Sequence, residues 1–278
     1  MMKIYALIEE HKRKNTALIA EHGFCLYFEH AGKHILFDTG RSGSFIYNAT
    51  LLGIDLSKVD ACVISHAHKG HTGGLTPFLD INNHAKVYMK RTAADDCYTK
   101  YYSRYERSGI EPSFFKKIWD RIEFIDSDMK IANGVTASSV NKYRRYPLYS
   151  SLMYKKNNHE WVRDDLTQEL FLAINTDDTV VVLTGCSHQG IINILMTAEK
   201  KFGHVTGVIG GFHLEGAKRL GIRIKKEPYV ELRAIIKYLN NHKIKKVYTR
   251  HCTGEKPFEK LELLARAKKL YSGDVIEI

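Results

Sequence analysis

No stretch of this chain approaches the ~20 consecutive apolar residues that a membrane-spanning helix requires. The opening MMKIYALIEEHKRKN carries only a short apolar run before Glu9 and Glu10, too little for the apolar region of a secretory leader. Both absences argue against a membrane protein and for a cytoplasmic setting. Cysteine is sparse as well: Cys25, Cys62, Cys97, Cys186 and Cys252 are odd in number and have no CxxC spacing. That excludes a disulfide framework and fits a reducing compartment. Internal repeats and low-complexity linkers are missing, which excludes solenoids and tethered arrays. Although 42 Lys+Arg against 31 Asp+Glu give a net charge of +11, no basic block exceeds a few residues. Without a basic arm or a recognisable RNA-binding module, no specific nucleic-acid partner is expected. The surplus either favours an anionic small-molecule partner or is a solvated lysine-rich surface. Oligomeric state is not legible.

What is present describes a globular chain of 278 residues, 44% hydrophobic, with a mean hydropathy of -0.30. That is enough apolar material for a full core and too much for disorder. Short β-branched and aromatic runs recur: KIYALIE, CLYFEH, HILFDTG, ACVISH, KVYMK, RIEFID, LFLAINT, TVVVLTG, VTGVIGG, KVYTRH and DVIEI. They read as strands. Between them PYVELRAIIKYLNNH, IINILMTAEKKFG and EKPFEKLELLARAKKL carry apolar faces at helical spacing. This alternation implies an α/β layered domain, and adjacent strand pairs such as CLYFEH and HILFDTG add hairpins and a mixed sheet. We read residues 1–278 as one domain. The stretch from about 91 to 165, crowded with Tyr, Lys and Arg, reads as an insertion or cap, with an ordinary amphipathic surface helix as its plain alternative.

Several apolar strands run directly into polar residues suited to metal chemistry: Asp38 after ILF, His66 after CVIS, His188 after VVVLTGCS, His213 after GVIGGF and His251 after KVYTR. In layered α/β folds the carboxyl ends of neighbouring strands open onto one edge, where loops carry function, so these residues should converge. His66 and His68 flank Ala67 just beyond a strand, and His71 lies a turn further on. A lone histidine is more often a satisfied core or surface residue; three within six positions after a buried strand suit imidazole ligation of zinc or iron.

SHAHKGHTGGL resembles the HxHxDH signature of the metallo-β-lactamase superfamily, preceded at the expected distance by FDTG. The ordered set FDTG, NATLLGIDL, SHxHxxHTGGL, GCSHxGIxNI, GGFHL and HCTG resembles the dihydropterin-ribofuranosyl-aminobenzene 5'-phosphate synthase-like branch of that superfamily. The resemblance spans nearly the whole chain. It implies an α/β (α+β) four-layer αββα sandwich with two mixed β-sheets, and a metal-dependent hydrolase that activates water against a phosphorylated or ester small molecule, possible pterin chemistry included. Its alternatives are a dihydropterin-type transferase and a degenerate metal- or ligand-binding module. Carried over by position, His66, His68 and His188 would hold one ion and His71 and His251 a second. Zn2+ is the expected metal, one or two ions, with Fe or Mn as substitutes. Asp38 would accept the distal ring N–H of a ligand histidine, as such carboxylates commonly do, or else would only form the Asp-Thr-Gly turn. His71, His213 and Asp38 are the candidate catalytic residues; the alternative for His213 is that it merely follows a strand. Cys186 and Cys252 adjoin candidate ligands and read more readily as small buried residues than as thiolate ligands.

The sequence departs from the family pattern at Gly70, where the family has Asp. Glycine offers no oxygen, and Lys69 beside it would repel a second cation if it pointed inward. Three readings stay open: one metal on His66, His68 and His188; two metals, with Glu215 or Asp178 supplying the acid; or a binding protein. Arg104, Tyr143, Arg144 and Arg145, with Tyr101, Tyr102 and Lys142, are the candidate substrate contacts, able to stack a flat ring and hold phosphate.

Overall fold

The computed structural model describes residues 2–140, 152–157, 160–176, 179–214, 218–219, 222–223 and 229–278. Strands built from the apolar runs form two seven-stranded mixed sheets. The first runs in the order Val275–Glu277, Lys3–Ile8, Cys25–His30, Lys33–Phe37, Ala61–Val63, Lys86–Lys90, Ile122–Ile125. Its early neighbours are antiparallel, and the pairs from Lys33–Phe37 to Ile122–Ile125 are parallel. The second runs Lys268–Lys269, Lys246–Thr249, Val205–Ile209, Thr179–Thr184, Leu170–Thr176, Val135–Ser139, Met129–Ala132. It is parallel up to Thr179–Thr184 and antiparallel beyond.

The runs are apolar on both faces because both faces are covered. Side chains alternate across a strand, so Leu26, Phe28, Val63, Val181 and Leu183 enter the core between the sheets, with Ile4, Phe37, Leu172 and Ile209. Their neighbours Cys25, Tyr27 and Cys62 face an outer core beneath the helices Ser44–Leu51 and Leu75–Ile81. Val180 and Val182 face the other outer core, beneath Ile191–Phe202, Tyr229–Asn241 and Glu255–Ala265. Helix, sheet, sheet and helix make the four-layer sandwich. Among the described residues no helix is long and apolar enough to cross a membrane.

The stretch 91–165 divides. Cys97–Tyr101, Arg104–Arg107, Met153–Asn157 and Glu160–Arg163 form a separate antiparallel four-stranded sheet, while Ile122–Ile125, Met129–Ala132 and Val135–Ser139 belong to the two large sheets. CYTKYYSRYER is therefore a hairpin rather than a helix. Its aromatic side chains pack across strands, with the Tyr105 and Trp161 rings stacked at 3.8 Å and the Tyr98 ring edge-on to Trp161 at 4.9 Å. Such cross-strand pairs stabilise small sheets. At the other end of the chain, EKPFEKLELLARAKKL is helical only to Ala265. Arg266 adopts φ 55°, and the left-handed turn releases Lys268–Lys269 to pair with Tyr248 and Thr249.

The parallel strands decide where the site lies. Lys33–Phe37, Ala61–Val63, Thr179–Thr184, Val205–Ile209 and Lys246–Thr249 all deliver their carboxyl ends to one edge of the sandwich. Lys3–Ile8 points the same way, being antiparallel to a strand that is antiparallel to Lys33–Phe37.

Candidate metal centre

The loops at this edge bring His66, His68, His71, His188, His213 and His251 into contact. Ring centroids lie 4.7 Å apart for His66–His68, 4.8 Å for His66–His188, 4.7 Å for His68–His188 and 4.0 Å for His66–His71. His251 meets His71 at 5.0 Å, and His213 meets His188 at 4.2 Å. His66, His71, His188 and His251 are all but fully buried.

One carboxylate orients two of these rings. Asp38 follows Phe37 in a left-handed conformation, φ 61°, and is wholly buried. Its Oδ1 accepts the Ser65 backbone N–H at 2.7 Å and its Oδ2 the Ser65 hydroxyl at 2.7 Å. His71 Nδ1 lies 2.6 Å from the same Oδ2, and His66 Nδ1 lies 2.9 Å from the Ser65 hydroxyl. With Nδ1 so engaged, both rings present Nε2 to the interior, as a carboxylate behind a ligand histidine arranges. Burial pushes the Asp38 carboxyl up and the His71 imidazole down, to about 3. Gly185 is essential to this packing: a Cβ there would sit 2.2 Å from the Ser65 hydroxyl and 3.1 Å from His66 Nδ1.

Two buried glutamates hold other loops. Glu169 accepts the backbone N–H groups of His188 at 2.6 Å and Gln189 at 2.7 Å, and burial pushes its carboxyl up to about 7. Glu9 accepts the backbone N–H of His251 at 2.7 Å, and burial raises its carboxyl too. Gln168 accepts the Ala67 N–H between His66 and His68 at 2.8 Å and donates to Cys97 at 3.0 Å, tying the base of the small sheet to the ligand loop. Sequence reasoning passed over Ser65, Gln168 and both glutamates as site residues. Glu9 was nonetheless marked by the same signal as the histidines, a polar residue at the end of an apolar strand.

The donor chemistry fits a metal. His66 Nε2, His68 Nε2 and both ring nitrogens of His188 are buried without a hydrogen-bond partner. One nitrogen from each of the three rings lies within 4.8 Å of the others. Buried polar atoms are nearly always satisfied, so three orphaned nitrogens aimed at one point mark a place for a cation. Burial, followed by neighbouring imidazoles, pushes His66 and His188 down and His68 to about 3. All three are thus neutral and able to donate a lone pair.

His213, at φ 45°, stands beside His188 and hydrogen-bonds the Cys252 thiol. Burial raises that thiol, yet its hydrogen bonds with Cys186 and His213 prevail and bring it down to about 6. The Lys69 ammonium faces away from the histidines, 3.9 Å from Glu111. Gly70 sits under the chain at His22 and Gly23: a Cβ on it would lie 3.3 Å from the His22 carbonyl oxygen, and its own carbonyl accepts the Phe24 N–H. Arg104 is exposed on its hairpin, and Tyr102 is exposed at the turn. Lys142, Tyr143, Arg144, Arg145, Asp178 and Glu215 lie outside the described residues.

Residues 18–141 match the family model for the metallo-beta-lactamase superfamily. A solved structure described as Tm1679, a metal-dependent hydrolase of the beta-lactamase superfamily, superposes with a TM-score of 0.83 at 28% identity, covering 100% of this chain and 99% of that one. The chain is thus similar over its full length to a metal-dependent hydrolase of that superfamily, and its first half carries the family match. It is also similar to the 7,8-dihydropterin-6-methyl-4-(beta-D-ribofuranosyl)-aminobenzene-5'-phosphate synthase of Methanocaldococcus jannaschii, 28% identical over 99% of this chain and 96% of that protein. The metallo-β-lactamase fold protein YhfI from Bacillus subtilis shares the fold, with a TM-score of 0.59 at 13% identity, covering 100% of this chain and 99% of that one. The matched stretch contains His66, His68 and His71, and position 70 within it is glycine.

Proposed function

We propose that this protein is a metal-dependent hydrolase acting on a phosphorylated or ester small molecule. The observation that carries the reading is the set of three buried, partnerless imidazole nitrogens on His66, His68 and His188. Three neutral imidazoles suit zinc, with iron or manganese as substitutes. When bound there, the metal supplies Lewis acidity to a substrate oxygen and to water.

The chain's own residues do the rest. Asp38 and Ser65 fix the tautomers of His71 and His66, so no ring turns when substrate arrives. Glu169 clamps the His188 loop by two backbone hydrogen bonds. His213, beside His188, is the proton carrier for the leaving group, with Cys252 steadying its ring. A cavity of about 380 Å³ opens next to the His188 loop, with Lys90, Arg91, Asp126, Glu169 and Gln189 in its wall, and would give a substrate room beside the metal position. Arg104 and the Tyr- and Arg-rich stretch at 142–145 would contribute further phosphate and ring contacts.

A second reading, group transfer rather than hydrolysis, is favoured by the likeness to a protein named as a synthase over nearly the full length of both chains. The test is elemental analysis of purified protein paired with turnover of a bis-aryl phosphodiester before and after metal loading. Bound metal with metal-restored hydrolysis is expected. Metal-replete protein that joins a pterin to a phosphorylated ribofuranosyl acceptor and hydrolyses nothing would favour transfer, and protein that binds no metal would leave only a ligand-binding module.

A further inference from the structure

The three-imidazole position accounts for His66, His68 and His188 and leaves His71 and His251 facing each other, Nε2 to Nε2, at 3.2 Å. With His71 Nδ1 turned to Asp38, its Nε2 lone pair also points inward. Two such nitrogens at this distance invite a shared cation, and a dication held only by neutral rings in a buried site lacks a compensating charge. The carboxylate that position 70 supplies elsewhere in the superfamily is absent. Gly70 bears no oxygen, and its missing Cβ points towards the His22 carbonyl.

Another acid already stands in the gap. The Cys186 sulfur lies 3.1 Å from His71 Nε2. It also lies within 4.8 Å of ligand atoms on His66 and His71, and again of those on His251 and Cys252. A tetrahedral zinc ion would set its ligand nitrogens ~3.3 Å apart and nitrogen–sulfur pairs ~3.6 Å apart; the nitrogen spacing of 3.2 Å is close to this, and the 3.1 Å nitrogen–sulfur contact would open by about half an ångström on binding. Cys186 arrives there because the tight turn through Gly185 follows the strand Thr179–Thr184 directly, and it is buried among these rings.

We propose that the second metal position of this centre is a nitrogen–sulfur site, made by His71, His251 and the Cys186 thiolate in place of the missing carboxylate. On binding, the Cys186 S–H proton leaves to solvent and the sulfur lone pair becomes the metal bond, without redox change. Two neutral imidazoles and one thiolate then leave a single positive charge on the ion. Cys252, whose thiol lies against the Cys186 carbonyl at 3.6 Å and hydrogen-bonds His213, lies in the same cluster, and the proposal leaves it outside the ligand set.

This inference rests on the metal-centre reading, and cobalt separates the two. Metal-free protein titrated with Co(II) under anaerobic conditions should bind two ions. A thiolate-to-cobalt charge-transfer band in the near ultraviolet should accompany one of them. Cys186→Ser should fall to one ion and lose the band, while Cys252→Ser keeps both. Two ions without the band, or a band that persists in Cys186→Ser, overturns the nitrogen–sulfur site and leaves the hydrolase reading standing; no cobalt bound by the unmutated protein overturns both. Zinc-edge X-ray absorption of the unmutated two-zinc protein needs no variant: one sulfur per two zincs is expected, and a shell of nitrogen and oxygen alone refutes the site.

Discussion

Asp38 shows how much one side chain can organise. It accepts three hydrogen bonds from Ser65 and His71, and through Ser65 it also reaches His66. Asp38→Asn keeps the volume but can place an amide N–H where His71 Nδ1–H should donate, turning the ring's lone pair away from the interior. Metal affinity should fall about 10–100-fold, measured by competition with a chromophoric chelator; an unchanged affinity would mean that packing alone orients His71. Gly185→Ala tests the same network sterically. Its Cβ would meet the Ser65 hydroxyl at 2.2 Å, so the Ser65 loop must shift, at a cost of about 1–3 kcal/mol in chemical denaturation together with weaker metal binding. At this scale the histidines were legible because most follow a strand end, whereas Ser65 and Glu169 were not: a serine or glutamate beside a strand is commonplace until its hydrogen-bond partners are known.

Among the elements, the helix Glu255–Ala265 is the clearest case of local sequence giving way to packing. The helical pattern runs on through Ala267 and Leu270, but Arg266 turns left-handed so that Ala267 and Leu270 enter separate cores. A left-handed L-residue is strained relative to glycine, and Arg266 is exposed. Arg266→Gly should therefore stabilise the protein by about 0.5–1 kcal/mol, the relieved strain exceeding the added freedom of the unfolded chain. A thermal melt that shifts downward would show that the arginine side chain supports the turn. In sequence the hairpin Cys97–Arg107 stays open between insertion and surface helix for a related reason: tyrosines and basic residues fit a helix or a strand equally well, and the stacking of Tyr105 on Trp161, from a strand far along the chain, favours the strand.

The whole molecule carries a pH signature. In the metal-free protein His68 and His71 take up protons only near about 3, against 6.5 when unfolded, and His66, His188 and His251 are lowered in the same direction. The unfolded chain thus binds more protons across this window, and stability falls as pH drops from 6.5 towards 3. The buried Glu9 and Asp38 carboxyls, raised by burial, oppose this, and so does Glu169. Its folded value of about 7 against 4.5 unfolded makes its contribution full below pH 4.5 and lost as pH rises to 7. The five lowered histidines outnumber the three raised carboxyls, so metal-free protein should lose about 1 kcal/mol or more per pH unit between pH 6.5 and 4.5. Urea denaturation at stepped pH checks it, and flat or rising stability on acidification would mean the cluster is already protonated when folded.

The sequence alone determined what local pattern can encode. Two-sided apolar strands, the polar residues that end them, the HxH spacing and the glycine at position 70 all lie within a few residues of one another, and they were enough to read the layered fold and to collect the histidines. Only the tertiary structure decided which groups share an ion and which merely orient a neighbour. Cys186 stands 115 residues from His71, and Glu9 stands 242 from His251. Those contacts depend on the order of parallel strands and on how closely Gly185 lets the loops of the two sheets approach. No periodicity in the chain records that approach, because it is set by which strand ends become neighbours once the sheets have packed.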